Sequence, residues 1–350
     1  MANYSDIRGY RVKYLSSDPT LNTSTEGQVW YNSTSGSLKG LTQIKAWSSG
    51  GNLNTARGYG IGSAGVATAA LAFAGETFPG PIVNVTEEYS GYIWTNASNY
   101  PQTVWGVGGF GTQTAAVGYA GVQTAAPTTP TNTNEYDGST WTAGGAVNQH
   151  VRYGASAGIL TAGLKSSGGS PATNNTEEYN GTSWTTVNSS NTSAEGRVSA
   201  GTQTASIFSG GTPETPIGAS VESYDGTTWT NLNNAPFPAA YRRGGGTQTH
   251  AVFAGGRNPA DSPIYLNSSQ EFDGVTFVNT PNMATVRWNG GGSGTDASSN
   301  TLLFGGVSAP GAGNVSATEE YNSSINSITQ ASWASGGSLS SARRALTMFG

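Results

Sequence analysis

Apolar residues in this chain come in short runs that end in small residues: AALAFAG (69–75), AAVGYAG (115–121), ASIFSGG (205–211), AVFAGG (251–256) and TLLFGG (301–306). Polar stretches of Thr, Ser, Asn and Gly separate them. No segment places apolar side chains at i, i+3, i+4 and i+7 between capping residues, so the pattern predicts no helix. It predicts short strands joined by tight turns, an all-β chain.

The runs recur in phase. Aromatic anchors followed by polar residues stand at Trp47, Trp94, Trp141, Trp184, Trp229, Phe277 and Trp333, spaced 47, 47, 43, 45, 48 and 56 residues apart. An acidic-aromatic piece ends five residues before most anchors, at Tyr89, Tyr136, Tyr179, Tyr224 and Phe272. Each period thus holds four strands. Strand A is Gly-rich and often follows an Arg; B is the apolar run; C is the Glu-aromatic piece; D starts at the anchor. The phrase GTQT, at 111–114, 201–204 and 246–249, is the A–B turn. A four-stranded unit of this length repeated six or seven times predicts a β-propeller. Gly and Ala belong on the inner strands, where blades converge on the axis.

The double glycine closing strand B (Gly210-Gly211, Gly255-Gly256, Gly305-Gly306), the acidic-aromatic strand and the following Trp resemble the kelch repeat family over roughly residues 47–350. Blades one to three depart from it, with B strands ending Ala74-Gly75, Ala120-Gly121 and Ala162-Gly163. A lone D strand at Trp47 and a lone A strand at SARRALTMFG (341–350) leave a composite blade, with QVWYNSTSGSLKGL (28–41) as its B–C hairpin. Seven blades closed by N- and C-terminal strands are expected, and six with residues 1–46 as an attachment segment is the alternative. Residues 47–350 form the propeller in either case.

Composition narrows the chemistry. Charged residues are 10%, net charge is −5, and Lys and Arg are scattered, which disfavours nucleic acid as a partner. No long apolar run or basic-apolar leader predicts membrane insertion or secretion, and with no cysteine, thiolate catalysis and zinc-thiolate sites are excluded. Repeat-locked groups are expected to be structural: Arg57, Arg152, Arg197, Arg243, Arg287 and Arg343 ahead of strand A; Glu88, Glu135, Glu178, Glu222, Glu271 and Glu320 on strand C; and Trp94, Trp141, Trp184 and Trp229 between blades. His150 and His250 fall in different strands, so no metal pair is expected. The acids outside strand C (Glu76, Glu195, Glu214, Asp261, Asp296) stand one to a blade, and no catalytic residue and no cofactor is expected.

Specificity is expected where blades disagree. The A–B and C–D turns are nearly the same in every blade, whereas the B–C loops and D–A connections differ, and loops of this kind carry function in repeat folds. Phe78, Tyr241, Tyr265 and Trp288 are the candidate ligand contacts there.

The phrase EGQVWYNSTSGSLK, Glu26 to Lys39, resembles one that precedes repeat modules in virion proteins of tailed bacteriophages, marine ones especially. The resemblance implies a virion component on the tail or another exterior site, made in the host cytoplasm and present in multiple copies. It would hold other virion proteins through its basic N-terminal segment (Arg8, Arg11, Lys13) and a host-surface glycan or protein through the variable loops. A purely structural virion protein and a glycan-degrading enzyme are the alternatives.

Overall fold

The computed structural model describes residues 13–19, 28–123, 130–258, 264–293, 300–308 and 313–330. Two compact units divide the chain, one of residues 46–322 and one of residues 1–45 with 323–350. The larger is a β-propeller of four-stranded antiparallel blades. Blade 1 consists of strands Gly62–Val66, Ala69–Phe73, Thr86–Tyr89 and Trp94–Ala97. Blade 2 consists of Gly108–Thr112, Ala115–Tyr119, Thr133–Tyr136 and Trp141–Gly144, and blade 3 of Ala155–Ile159, Ala162–Gly168, Thr173–Tyr179 and Trp184–Val187. Blade 4 is Val198–Thr202, Ala205–Ser209, Val221–Tyr224 and Trp229–Asn231; blade 5 is Arg243–Gly246, Ala251–Ala254, Ser269–Phe272 and Phe277–Thr280. A single helical turn, Glu214–Ile217, interrupts the B–C connection of blade 4.

The sixth sheet combines an N-terminal strand with strands from residues 291–330. Its inner strands are Gly291–Gly292 and Thr301–Phe304, its third is the start of Thr318–Gln330, and its fourth is the end of Ser37–Ser49. Gly50 N–H donates to Thr318 O (2.9 Å), and Trp47 packs on Tyr321 with ring centroids 5.2 Å apart. The D strand after Tyr321 is therefore supplied by Trp47. Of the two expected counts, the sheet order among the described residues gives six. The 28–41 hairpin forms as predicted, Val29–Asn32 against Ser37–Gly40, but in the smaller unit, where Lys13–Leu15 pairs parallel to it. Trp333, Arg343 and the 341–350 strand lie outside the described residues.

Two rings of backbone hydrogen bonds join the blades. In the first, the last glycine of each B strand donates to the next blade just before strand A: Gly75 to Val104, Gly121 to Val151, Gly168 to Ala194, Gly211 to Ala239, Gly256 to Arg287 and Gly306 back to Arg57, at 2.6–3.1 Å. These glycines all have φ between +97° and +118°, where a Cβ is strained. A Cβ on Gly168 would also lie 2.8 Å from Arg152 O. The double-glycine ending thus has a mechanical cause, and in blade 3 it is Ser167-Gly168 that stands in phase, whereas Ala162-Gly163 opens the strand.

Side chains reinforce the same joints. The glutamine of the GTQT turn reaches back one blade: Gln113 donates to Ala70 O and Tyr89 O, Gln203 to Gly163 O and Tyr179 O, and Gln248 to Ser206 O and Tyr224 O. The strand-C tyrosine donates to the preceding blade's glutamate: Tyr136 to Glu88 (2.7 Å), Tyr224 to Glu178 (2.9 Å), Tyr179 to Glu135 and Tyr89 to Glu320. Where blade 4 has Ser223 in place of the glutamate, blade 5 has Phe272 in place of the tyrosine. Trp94, Trp141 and Trp184 donate from Nε1 to Thr318, Thr86 and Thr133 of the preceding blade, and Trp229 donates to Asn188 O.

The buried arginines act within a blade. Arg57 pairs with Glu87, Arg197 with Glu222 (3.3 Å) and Arg287 with Glu319 (2.7 Å), each joining the approach to strand A to strand C. Their carboxylates also accept backbone N–H groups of the D–A turn, such as Asn191 on Glu222. Arg152 and Arg243 do not belong to this set. Val151 stands at the position of Arg57 and Arg287, and Arg242 at that of Arg197; Lys165 supplies the cation to Glu177 in blade 3 (2.8 Å), and Arg242 meets Gln270 in blade 5 (2.8 Å).

Two truncations separate the role of the closing strand from that of the N-terminal segment. Residues 46–322 alone should keep a cooperative thermal melt and native near-ultraviolet circular dichroism. A chain starting at residue 51 loses the fourth strand of blade 6, leaves strand C an open edge and should melt lower and scatter light as it associates.

Candidate functional site

The second ring of hydrogen bonds lies at the start of strand A. One residue in each blade adopts a left-handed backbone there: Tyr59, Gly106, Tyr153, Gly196, Tyr241 and Asn289, with φ from +51° to +69°. Their carbonyls accept from the next blade in turn: Tyr59 from Gly106, Gly106 from Tyr153, Tyr153 from Gly196, Gly196 from Tyr241, Tyr241 from Asn289 and Asn289 from Gly60, at 2.7–3.3 Å. Glycine fits this conformation without cost. Tyrosine in it costs on the order of 1–2 kcal/mol, yet three of the six blades carry one.

The three tyrosine rings line a cavity of about 370 Å³. Gly196 leaves room for Tyr241, since a Cβ there would lie 2.5 Å from the ring. Around them stand Trp105 and Trp288, from the residue preceding the left-handed one in blades 2 and 6, and Phe78 from the B–C loop of blade 1. The aromatic contacts run Phe78–Tyr59 (5.3 Å), Tyr59–Trp288 (5.5 Å), Trp288–Tyr241 (5.4 Å), Tyr241–Tyr153 (5.1 Å) and Tyr153–Trp105 (5.5 Å). Tyr265 stacks on Trp288 at 5.6 Å with an interplanar angle of 13°. Trp288 Nε1 is buried and has no acceptor among the described residues.

Four charged side chains complete the lining: Glu76, Arg152, Glu195 and Arg257. Arg152 stacks on Trp105 and Arg257 on Trp288, with guanidinium carbons 5.5 and 5.4 Å from the ring centroids. Arg152 Nε lies 3.3 Å from Glu195 Oε1, and the Tyr241 hydroxyl donates to the same oxygen at 3.2 Å. Glu76 follows Gly75 just past strand B of blade 1, and its carboxyl has neither ion pair nor hydrogen bond among the described residues. Burial raises the pKa of Glu76 and of Glu195; for Glu195 the Arg152 charge and the Tyr241 hydroxyl oppose the rise. Burial also pushes the Tyr153 and Tyr241 hydroxyls well up, so both remain neutral donors.

The candidate contacts therefore come together: Phe78, Tyr241 and Trp288 line the cavity, and Tyr265 backs Trp288. Two expectations are corrected. Arg152, expected to tie strands or blades together, lies in the cavity wall because it is one residue on from the position that Arg57 and Arg287 hold. Glu76 and Glu195, expected to be isolated, share one cavity because the ring brings blades 1 and 4 to opposite sides of the axis. Tyr59, Trp105, Tyr153 and Arg257 were not expected in the site. The signal that finds them is the repeat in phase: Gly58, Trp105, Arg152, Glu195, Ala240 and Trp288 are equivalent, as are Glu76, Val122, Gly169, Thr212, Arg257 and Val307. Both positions vary among the blades.

Elsewhere, His150 and His250 are both exposed, and no metal-binding cluster of His or acids is found among the described residues. No helix there is long and apolar enough to cross a membrane. Lys13 donates to Gln28 (3.2 Å), and Lys39 is paired with Asp18 (2.8 Å), whose carboxyl is held down to about 2 by bonds from Lys39, Asn32 and Trp30. Arg8 and Arg11 lie outside the described residues.

No family model matches the sequence, and no curated protein does. Among solved structures the chain is similar to one titled "Structure of YjhT", with a TM-score of 0.63 and 11% identity, covering 76% of this chain and 95% of that one. The likeness supports the propeller fold.

Burying Glu76 without a partner makes a pH-dependent stability cost. With the folded pKa above the unfolded one, the native state binds more protons between the two values, so the contribution of Glu76 to stability falls as pH rises through that window. Glu76→Gln should therefore raise the melting temperature at neutral pH and have little effect below the carboxylate range; equal effects at both would exclude ionisation as the cause.

Proposed function

We propose that this protein is a structural virion component of a tailed bacteriophage, mounted on the tail or another exterior site, whose propeller binds a host-surface glycan in the aromatic cavity. One observation carries the binding reading. The cavity is built from the repeat positions at which the blades disagree, and three tyrosines there are held in a backbone conformation that glycine meets without strain in two other blades. Strain of this kind is kept where a side chain has work to do.

The chemistry of the wall suits a sugar. Pyranose rings present apolar faces that lie against Trp and Tyr, and hydroxyls that bond to carboxylates, guanidinium groups and an unpartnered indole N–H. A cavity of about 370 Å³ lies in the range of small-molecule sites. The virion assignment is supported by the Glu26–Lys39 phrase and by the low charge and absence of cysteine. Other virion proteins are the partners proposed for the N-terminal segment, with several copies on each particle. A binding role calls for no cofactor, and the binding reading by itself requires no enzymatic step.

Two measurements test this. On an array of bacterial surface glycans, the full chain should retain specific oligosaccharides, and Trp288→Ala and Tyr265→Ala should each weaken retention roughly 3- to 10-fold, the range of about 0.5–1.5 kcal/mol for an aromatic contact. In cryo-electron microscopy of the particle, the cavity should open outward; a cavity covered by another virion chain would leave an assembly module instead.

A further inference from the structure

Resting on the glycan-binding reading, we infer that the cavity also cleaves its glycan, as a glycoside hydrolase in which Glu76 is the general acid and Glu195 the general base. The geometry of the two carboxyls differs in the way this reaction requires. Glu76 lines the cavity beside the aromatic wall, with no cation or hydrogen-bond donor on its carboxyl among the described residues. Nothing there stabilises its anion, and burial favours the protonated form. A carboxyl that holds its proton more readily and faces a sugar is suited to donate it.

Burial raises the pKa of Glu195 too, but charged and hydrogen-bonding neighbours oppose the rise there. Arg152 meets both its oxygens, through Nε at 3.3 Å and Nη2 at 3.4 Å, and the Tyr241 hydroxyl donates to Oε1 at 3.2 Å. These contacts favour the anion and fix its direction. Arg152 is itself held on the Trp105 face, so the carboxylate is positioned from behind. The two acids come from blades three steps apart in a ring of six, one on either side of the cavity. Single-displacement hydrolysis needs the two carboxyls far enough apart to hold a water between them and the sugar, and that is the role assigned to this pair.

The step balances as follows. Glu76 gives its proton to the glycosidic oxygen as the bond from that oxygen to the anomeric carbon breaks, the electron pair leaving with the oxygen. A water oxygen bonds to the anomeric carbon from the opposite face, and its proton passes to Glu195. One water is consumed, two saccharides leave, and the anomeric configuration inverts. Proton exchange with solvent then restores both carboxyls.

The test uses the full chain and an oligosaccharide that it retains on the array. The wild type should release reducing ends, with the inverted anomer seen first by proton NMR. Glu76→Gln should bind as tightly but turn over that oligosaccharide 10²- to 10⁴-fold more slowly, the usual worth of a general acid, and should lose the alkaline limb of the kcat profile. On a 2,4-dinitrophenyl glycoside of the same sugar, whose leaving group needs no proton, Glu76→Gln should keep near wild-type rate. A merely structural role for Glu76 would slow both substrates alike and overturn the assignment. Retention of configuration would overturn the role given to Glu195. A glycan that stays bound and intact with the wild type would overturn hydrolysis while leaving binding in place, whereas a chain that retains no glycan would sink the binding reading itself.

Discussion

Closure of the ring by backbone hydrogen bonds is the constraint on which the rest of this structure depends. Two sets of N–H to carbonyl bonds run from blade to blade and return to blade 1, through Gly306 to Arg57 and Gly60 to Asn289. Each bond requires a chain segment with positive φ, which is why glycine recurs at the end of strand B. Because these bonds fix how closely successive blades approach, the side chains between blades follow from them. The Gln of the A–B turn, the Tyr–Glu pair of strand C and the anchor Trp all bridge the joint that the backbone sets.

The same constraint creates the site. Six left-handed residues converge around the axis, and whatever side chains they carry must face one another. Two blades have glycine there, and three have tyrosine. The glycines make room for the tyrosines, as Gly196 does for Tyr241, so an aromatic floor forms without prying the blades apart. The neighbouring repeat positions then supply Trp105, Trp288, Arg152 and the two glutamates. In blade 3 site and scaffold are separated by one residue: Val151 stands in the register where Arg57 and Arg287 are, and Arg152 lies one step on, in the cavity wall.

The burial of charge follows a consistent rule. Inside every blade but blade 2, where Asn134 bonds to Tyr100 and Gln102, an Arg or Lys meets a carboxylate or a neutral acceptor, and removing one partner would strand the other in a medium of low polarity. In the cavity that rule is relaxed, because Glu76 has no partner among the described residues. A carboxyl left uncompensated in the cavity is a stability cost tied to that place.

The sequence by itself determined the propeller, the four strands of each blade, the inner position of glycine, and the face on which the blades differ, because each follows from a local period. Phe78, Tyr241, Tyr265 and Trp288 were legible for the same reason: they are aromatics on loops that differ among repeats. The number of blades was not legible, since Trp47 could join strands from either end of the chain, and only pairing with 318–321 decides between them. The meeting of Glu76 with Glu195 was equally hidden. They are 119 positions apart in the sequence, in different places within their repeats, and only a closed ring of six brings blades 1 and 4 face to face across one cavity.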